Sequence, residues 1–240
     1  MLGLKGYLNV VSYVFLQSYC WRFNLKAHYQ INALQKLVKE GDVCLDIGAN
    51  LGYFTVPLSR LVGSTGKVYA VEPVSLFRDI LQKNVERFAF KNVEIVPYAL
   101  GDEDEKKVSL GTLKVDGLIH HGMTGILQSS APNTAVRHEA TMMRPTTLFA
   151  HLPRMDFVKC DVEGYELHII PHLLPIFERF FPTLEIEMAS EESKTTIAKW
   201  MKSLGYDIYF LAPSGRFLPL TDVLQQKKEF EWYFIHPSRK

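Results

Sequence analysis

The sequence predicts an α/β fold in three layers, with helices on both sides of a mostly parallel sheet. Short apolar runs that are typical of buried strands alternate with longer stretches of helical periodicity. Two strand-to-helix transitions, at residues 43–54 and 157–166, carry glycines and acidic side chains directly after the strand. Such an alternation indicates a parallel sheet whose ligands bind beyond the carboxyl ends of its strands.

The composition indicates one globular domain with an ordinary hydrophobic core. The chain has 240 residues, of which 47% are hydrophobic and 22% are charged, and its net charge is +1. This nearly neutral charge lacks the basic excess of nucleic-acid-binding proteins, so we expect no nucleic-acid partner. Cys20, Cys44 and Cys160 have no metal-binding spacing, and a reduced, cytoplasmic setting is the simplest interpretation.

Residues 1–30 predict a helical extension ahead of a domain that covers residues 31–240. They are apolar and aromatic, but polar residues such as Asn9 and Gln17 interrupt the run before it reaches the length of a membrane span. We expect an amphipathic helix that packs on the rest of the protein. A second subunit, as in a homodimer, is one alternative partner. Peripheral contact with a membrane is another, because Lys5 and Arg22 accompany the aromatic residues.

The first strand-to-helix transition predicts a nucleotide-binding turn. Val43–Leu45 is the expected strand, Asp46 ends it, and Gly48, Asn50 and Gly52 form the turn before a helix. Small residues let the backbone approach a ligand closely. Asn50 stands where the dinucleotide fingerprint has its second glycine, which disfavours a pyrophosphate. The alternative is a turn whose glycine and asparagine residues merely supply positive φ angles.

Acidic residues after the next strands extend this predicted site. Glu72 closes a strand at residues 67–71, about 20 residues after the glycine turn, where a carboxylate can accept both hydroxyl protons of a ribose. Ser75 is the expected N-cap of the following helix, and Asn84 within that helix is expected to brace the sheet. Asp102 follows a third strand at residues 93–96 and is expected to meet an adenine amino group, with a plain surface loop as the alternative.

Residues 111–147 predict a long irregular insert that covers the substrate. Glycines and polar residues leave only short apolar pieces there, although strands around Val108–Leu110 and His138–Arg144 fit the pattern. His120, His121 and His138 lack the spacing of metal ligands, so we expect no metal site in the chain.

The second transition places further carboxylates at a strand end. Phe157–Cys160 is the expected fourth strand, followed by Asp161, Glu163 and then Gly164 before a helix. A fifth strand follows at residues 183–188. Two more, at 208–211 and 232–235, are expected to form a terminal antiparallel pair.

Together, these segments resemble the FkbM family of S-adenosylmethionine-dependent methyltransferases. The likeness rests on Asp46 to Gly52, Glu72-Pro73, Ala99 to Asp102 and Phe157 to Glu166, and it runs from about Leu37 to Met188. It implies a class I methyltransferase fold, with a mostly parallel seven-stranded sheet whose last strand is antiparallel. It also implies S-adenosylmethionine as the cofactor and O-methylation of a sugar, a glycan or a natural product. The implied cofactor-binding residues are Asp46, Gly48, Asn50, Gly52, Glu72 and Asp102.

Methyl transfer to a hydroxyl needs close positioning and an acceptor for the hydroxyl proton. We expect Asp161 and Glu163 to be the catalytic residues, with Glu187 on the neighbouring strand. Three adjacent carboxylates could instead hold a divalent cation, but metal-free base catalysis is favoured.

The rival functions are an NAD(P)-dependent oxidoreductase and a non-catalytic binding protein on a methyltransferase fold. The acid of the family's Thr-Leu-Asp-x-Leu segment is missing from residues 147–150.

Overall fold

The computed structural model describes residues 3–21, 28–115, 118–127, 134–221 and 229–239. The chain forms two compact units, residues 1–97 and 98–240. Strands alternate with helices in both units, so the predicted α/β class is confirmed.

The first unit contains a parallel sheet with helices around it. Its elements are α1 (Leu4–Cys20), α2 (Tyr29–Ala33), β1 (Val43–Ile47), α3 (Thr55–Val62), β2 (Lys67–Val71), α4 (Ser75–Phe88) and β3 (Val93–Val96), with a 3₁₀ turn at Leu34–Lys36. β1 pairs in parallel with β2, and β2 with β3. β1 extends two residues further than expected, so Asp46 lies within the strand, opposite Ala70.

The N-terminal helix α1 packs on α4. Leu8, Ser12 and Leu16 form its buried side, and the side-chain amide of Asn84 donates hydrogen bonds to Ser12 Oγ (3.0 Å) and Leu51 O (2.8 Å). Asn84 is fully buried, and its hydrogen bonds join α4 to α1 and to the turn after β1. The part of residues 1–30 at positions 22–27 lies outside the described residues. No helix in the described ranges is long and apolar enough to cross a membrane.

The expected helix cap at Ser75 is wrong. Ser75 is the first residue of α4, and the capping position is occupied by Val74, which has no side-chain capping bond. The carboxylate of Glu72 supplies the acceptor instead, because the Val74 amide donates to Glu72 Oε1 at 2.8 Å. The helix therefore begins one residue earlier than predicted, and Glu72 accepts the amide of Val74, one of the amides at the helix start without a partner inside the helix.

The second unit continues the α/β pattern. Its elements are β4 (Ala99–Leu100), β5 (Lys106–Val115), β6 (Leu118–Ile126), β7 (Thr134–Met143), α5 (Pro145–Phe149), β8 (Phe157–Cys160), α6 (Glu166–Phe180), β9 (Thr183–Glu187), α7 (Glu191–Ser203), β10 (Asp207–Leu211), β11 (Phe217–Pro219) and β12 (Glu231–Ile235), with a final 3₁₀ turn at Pro237–Arg239. β8 and β9 are parallel, and β12 is antiparallel to both β9 and β10. This confirms the expected antiparallel pair at the end of the chain. β11 adds an unpredicted strand beside β10.

The described part of the predicted insert belongs to a second sheet, so its expected irregular structure is wrong there, whereas the strands expected around Val108–Leu110 and His138–Arg144 are confirmed as parts of β5 and β7. Its role as a substrate cover stays a prediction. β5 pairs antiparallel with both β6 and β7, and β4 joins the edge of β7. Val108, Leu110 and Thr112 of β5 have buried side chains, at alternate positions. A register shift between Thr112 and Leu113 breaks this period on both sides of the strand. Because this bulge and several glycines interrupt the alternation, the sequence pattern is irregular although the strands pair on both sides of the bulge.

Candidate active site

Residues with left-handed backbone conformations shape the turn after β1. Gly48, Asn50 and Gly52 have φ angles of 84°, 50° and 93°, where glycine and asparagine are the residues that fit most readily. A Cβ atom on Gly52 would lie 2.9 Å from Leu81 Cδ1, so packing also demands glycine there. The positive φ angles that would by themselves explain glycine and asparagine in this turn are therefore present at all three positions.

The amides of this turn are used by the protein itself. Gly48 N and Ala49 N donate to Val71 O at 3.1 and 2.9 Å, and Gly52 N donates to Ala49 O at 2.9 Å. Asn50 N donates to Glu72 Oε2 at 2.9 Å. A pyrophosphate site needs amides that are available to the ligand. These four are engaged, and this arrangement supports the prediction that the turn does not hold a dinucleotide.

Glu72 connects the turn to the end of β2. One carboxylate oxygen accepts the Asn50 amide and the other accepts the Val74 amide. Burial raises the pKa of Glu72 to about 7, although the two amides and the Arg78 guanidinium lower it in part. Each carboxylate oxygen can accept a second hydrogen bond. The amides therefore fix the orientation of Glu72 and leave it acceptor capacity.

Asp46 lies beside this carboxylate and holds the start of α3. Its side chain is 1% exposed and accepts a hydrogen bond of 2.6 Å from Thr55 Oγ1. Its negative charge also raises the pKa of Glu72. Within the first unit, the structure thus brings together Asp46, Asn50 and Glu72 from the predicted cofactor set.

The carboxyl end of β8 carries an ion pair between a buried lysine and a partly buried aspartate. All four residues of β8 are buried, and Lys159 Nζ donates to Asp161 Oδ2 at 2.7 Å. Asp161 therefore bonds to an ammonium group. Lys159 was not selected from the sequence. Its signal was a charged residue between the apolar residues Val158 and Cys160 of an otherwise buried strand.

Glu163 lies in the turn between β8 and α6. Its φ angle is 54°, and that of Gly164 is 97°. Burial raises the pKa of Glu163 to about 7, with the negative charges of Asp161 and Glu166 adding to the shift and Lys159 opposing it. Glu166 accepts the Gly164 amide at 2.9 Å and so closes the turn. The structure thus places the two predicted catalytic residues on one short turn.

Further carboxyl groups line the adjacent strands. Glu185 of β9 is opposite Lys159 of β8, and Glu231 of β12 is opposite Glu187. Burial raises the pKa of Glu185 to about 7 and that of Glu187 to about 8. The negative charge of Asp161 is the second-largest cause of the raised pKa of Glu187, after burial. The positive charge of Lys159 lowers the pKa of both glutamates. We call Asp161, Glu163, Glu185, Glu187 and Glu231, with Lys159, the carboxyl cluster.

Asp102 lies in the loop after β4. Its Oδ2 atom is 3.7 Å from His168 Nδ1, and its main-chain oxygen accepts a hydrogen bond of 2.8 Å from Arg144 Nε. The His168 ring stacks on Tyr165 with 4.2 Å between ring centroids. The Asp102 side chain is 45% exposed. Tyr165 and His168 are not among the predicted site residues, because their stacking depends on the geometry at the start of α6.

The second sheet approaches the Glu163 turn through β6. A Cβ atom added to Gly125 would lie 3.3 Å from Glu163 O. Of the histidines there, His138 Nε2 is 3.1 Å from Thr112 Oγ1. Burial lowers the pKa of both His121 and His138. Within the described ranges, no group of three His, Cys, Asp or Glu side chains is arranged to hold a metal ion.

Comparison with known proteins gives one broad match. A family model described as "Methyltransferase FkbM domain" matches residues 46–208. Curated relatives match a short segment only. A probable cobalt-precorrin-6B C(15)-methyltransferase (decarboxylating) of Sulfolobus acidocaldarius is 44% identical over 52 residues, 22% of this chain and 27% of that protein. A protein-L-isoaspartate O-methyltransferase of Methanosarcina mazei is 40% identical over 57 residues, 24% of each chain. The chain thus spans about a quarter of these relatives.

Solved structures extend the similarity in fold to most of the chain. A methyltransferase FkbM from Methylobacillus flagellatus KT is 13% identical and has a TM-score of 0.52, with 94% of this chain and 59% of that chain covered. A putative rRNA-methylase from Clostridium thermocellum is 12% identical with a TM-score of 0.52, and 88% and 94% of the two chains are covered. At these identities the likeness concerns the fold.

Proposed function

We propose that this chain, which belongs to the FkbM family of methyltransferases and uses S-adenosylmethionine as its cofactor, methylates a hydroxyl group of a sugar, a glycan or a natural product. Methyl transfer follows from the family. The hydroxyl acceptor and the roles of individual residues are the proposal. The α/β fold is the class I methyltransferase fold.

The turn after β1 and Glu72 fit a nucleoside better than a phosphate. In the proposal, Glu72 uses the remaining acceptor capacity of its two oxygens for the ribose hydroxyls. Gly48, Asn50 and Gly52 give the turn its left-handed backbone, and Asp46 anchors it through Thr55. Asp102 contributes from the loop after β4. When bound, S-adenosylmethionine supplies an electrophilic methyl group.

The carboxyl cluster supplies the proton chemistry in this proposal. A hydroxyl nucleophile must lose a proton, and a group with a pKa near the working pH is the most effective acceptor. Glu163 meets this condition, since its pKa is raised to about 7. Asp161 is held in place by Lys159. We assign acceptor positioning to Asp161 and removal of the hydroxyl proton to Glu163 or Asp161, and this paired arrangement is the observation that carries the hydroxyl assignment.

The proposal is tested by the chemical linkage of the transferred methyl group. The protein is incubated with S-adenosylmethionine labelled in its methyl group and with sugars, glycans and hydroxylated natural products, next to carboxylate and amine acceptors. We expect a label that survives mild base, as a methyl ether does. A label released by base as methanol would identify a carboxyl acceptor, and label on an amine would identify N-methylation. Either result would overturn the hydroxyl assignment.

Controls separate the remaining alternatives. Cofactor binding without transfer to any acceptor of the panel would favour the non-catalytic binding protein. Activity that chelator abolishes and Mg²⁺ restores would favour metal binding by the carboxylates in place of direct base catalysis. A cytoplasmic location also belongs to the proposal, and labelling the protein in cell fractions tests it.

A further inference from the structure

The outer face of α1 carries several large exposed side chains. Tyr7, Val10, Tyr13, Val14 and Trp21 are between 41% and 65% exposed. The helical period places residues 7, 10, 14 and 21 on one face and residue 13 at its border. The opposite face, with Leu8, Ser12 and Leu16, is buried against the first unit. We call the five exposed residues the outer α1 face.

Polar side chains of α1 bond to the helix itself. Asn9 Nδ2 donates to Lys5 O at 2.7 Å, Ser12 Oγ to Leu8 O at 2.8 Å, and Ser18 Oγ to Phe15 O at 2.7 Å. Such local bonds satisfy polar groups without water. Ser12 belongs to the buried side of α1, and the bonds of Asn9 and Ser18 reduce the cost of placing the other side of the helix in a medium of low polarity.

Cationic side chains border the outer α1 face. α1 itself contains no aspartate or glutamate. Lys5 is paired with Asp79 of α4 at 2.5 Å, and the Arg87 guanidinium lies 5.6 Å from the centroid of the Tyr13 ring. Lys83 lies between these contacts, one turn of α4 from each. Asp79 is bonded to Lys5, and Glu86, the other acid in this part of α4, accepts a hydrogen bond from Gln82.

We propose that the outer α1 face binds the surface of a membrane that contains anionic phospholipids, with the helix lying in the plane of the interface. Exposed tyrosine, tryptophan and valine next to lysine and arginine match the chemistry of that boundary. A second copy of the chain fits less well, because one row of five side chains is small beside the roughly 800 Å² per partner that stable interfaces bury. The proposal does not depend on the identity of the methyl acceptor.

Flotation with vesicles tests this proposal on the full chain. Vesicles of phosphatidylcholine alone are compared with vesicles that also contain phosphatidylglycerol. We expect binding to the anionic vesicles, weaker binding as salt is added, and little binding to phosphatidylcholine alone. The double variant Val10→Glu/Val14→Glu should lower the partition coefficient at least about tenfold. A charge-matched control, Met123→Glu/Phe230→Glu, changes two exposed apolar residues outside α1 and should bind as the parent does.

A second pair of variants tests the cationic border. Lys83→Gln/Arg87→Gln should weaken binding to anionic vesicles about tenfold or more, whereas Lys199→Gln/Lys202→Gln, on exposed positions of α7, should not. Melting temperatures close to that of the parent establish that the variants are folded. Equal binding by the parent and by Val10→Glu/Val14→Glu would overturn the proposal. A dimer in sedimentation that this double variant dissociates, without vesicle binding by the parent, would show that a second copy covers the face.

Discussion

Lys159 donates a hydrogen bond of 2.7 Å to Asp161, and the same ammonium group lowers the pKa values of Glu163, Glu185 and Glu187. One buried cation thus faces several partly or fully buried carboxyl groups. Charges of one sign in such a place are costly unless they are paired or neutralised by protons. The cluster therefore keeps protons at a pH at which ordinary glutamates have lost them.

Stability should consequently fall as the pH rises through neutrality. Burial raises the pKa of Glu185 from 4.5 to about 7, so between these values the folded protein holds a proton that the unfolded chain releases. The resulting stabilisation is present in full below the unfolded pKa and is lost as the pH rises through about 7. Glu185→Gln should make the slope of the unfolding free energy less steep by up to about 1.4 kcal/mol per pH unit. Urea denaturation across this range measures the slope, with Glu192→Gln on the surface as the control.

Removing the cation should damage the cluster most at alkaline pH. Lys159→Met leaves carboxylates buried without their partner once they are ionised, and losses of this type reach about 3–5 kcal/mol. Below the unfolded pKa the carboxyl groups are neutral, so the loss should be smaller there. Lys159→Met and the exposed control Lys202→Met are denatured at a pH below 4.5, the ordinary glutamate pKa, and at a pH above about 8, the raised pKa of Glu187. The two losses of stability are then compared. An equal loss at the two values would contradict a role of Lys159 in charge balance.

The two proposed catalytic carboxylates can be separated from structural residues by kinetics. Asp161→Asn and Glu163→Gln should keep cofactor affinity but slow single-turnover methylation about 10²–10⁴-fold. For Glu163→Gln, the rise of the rate with pH near 7 should also disappear, because the group that titrates there is gone. Rapid-quench measurements across pH provide both quantities. Near-normal rates in both variants would move the search for the base to His120, His121 and His138.

Glu72 should control cofactor affinity. In Glu72→Gln the new side-chain amide can accept from only one of the two main-chain amides, and it offers fewer acceptor sites to a ribose. We expect binding of S-adenosylmethionine to weaken by roughly 1.5–3 kcal/mol. Calorimetry on the folded fraction measures this, with Glu94→Gln, an exposed partner of Lys67, as the control. Unchanged affinity would refute the ribose assignment.

The approach of β6 to the Glu163 turn gives a test with a matched control. A side chain at Gly125 would press on Glu163 O, whereas a Cβ atom at Gly122 on the same strand would meet nothing within 4 Å. Gly125→Val should displace the turn and lower the turnover number about tenfold to hundredfold, with cofactor affinity retained. Gly122→Val should be close to the parent. Steady-state kinetics with an acceptor found by the labelling experiment would decide, and equal rates in the two variants would show that this sheet has no influence on catalysis.

The parts of the molecule that could be predicted from the sequence depend on local signals. The strands β1 and β8 are short apolar runs, and Gly48, Asn50 and Gly52 satisfy local φ requirements that hold whatever lies around them. The positions of Glu72, Asp161 and Glu163 relative to these strands follow from the same patterns. The roles assigned to these residues stay predictions.

The parts that were missed depend on pairing between distant segments. Ser109 and Glu139, which are hydrogen-bonded at 2.7 Å across β5 and β7, are 30 residues apart, and nothing local marks their register. Lys159 and Glu185 become buried partners only because β8 and β9 pair in one register. Such contacts depend on the register of the whole sheet. A single sequence therefore predicts where strands lie more clearly than which residues are paired across them.

The hydrogen bond between Asn84 and Ser12 has a consequence for synthesis of the chain. The two residues are 72 positions apart, so at about 5–20 residues per second α1 leaves the ribosome roughly 4–14 s before its binding site on α4 exists. During that interval Leu8 and Leu16 are exposed together with the outer α1 face. The nascent helix is then apolar on both sides, and chaperones or a lipid surface can bind it before the first unit has folded.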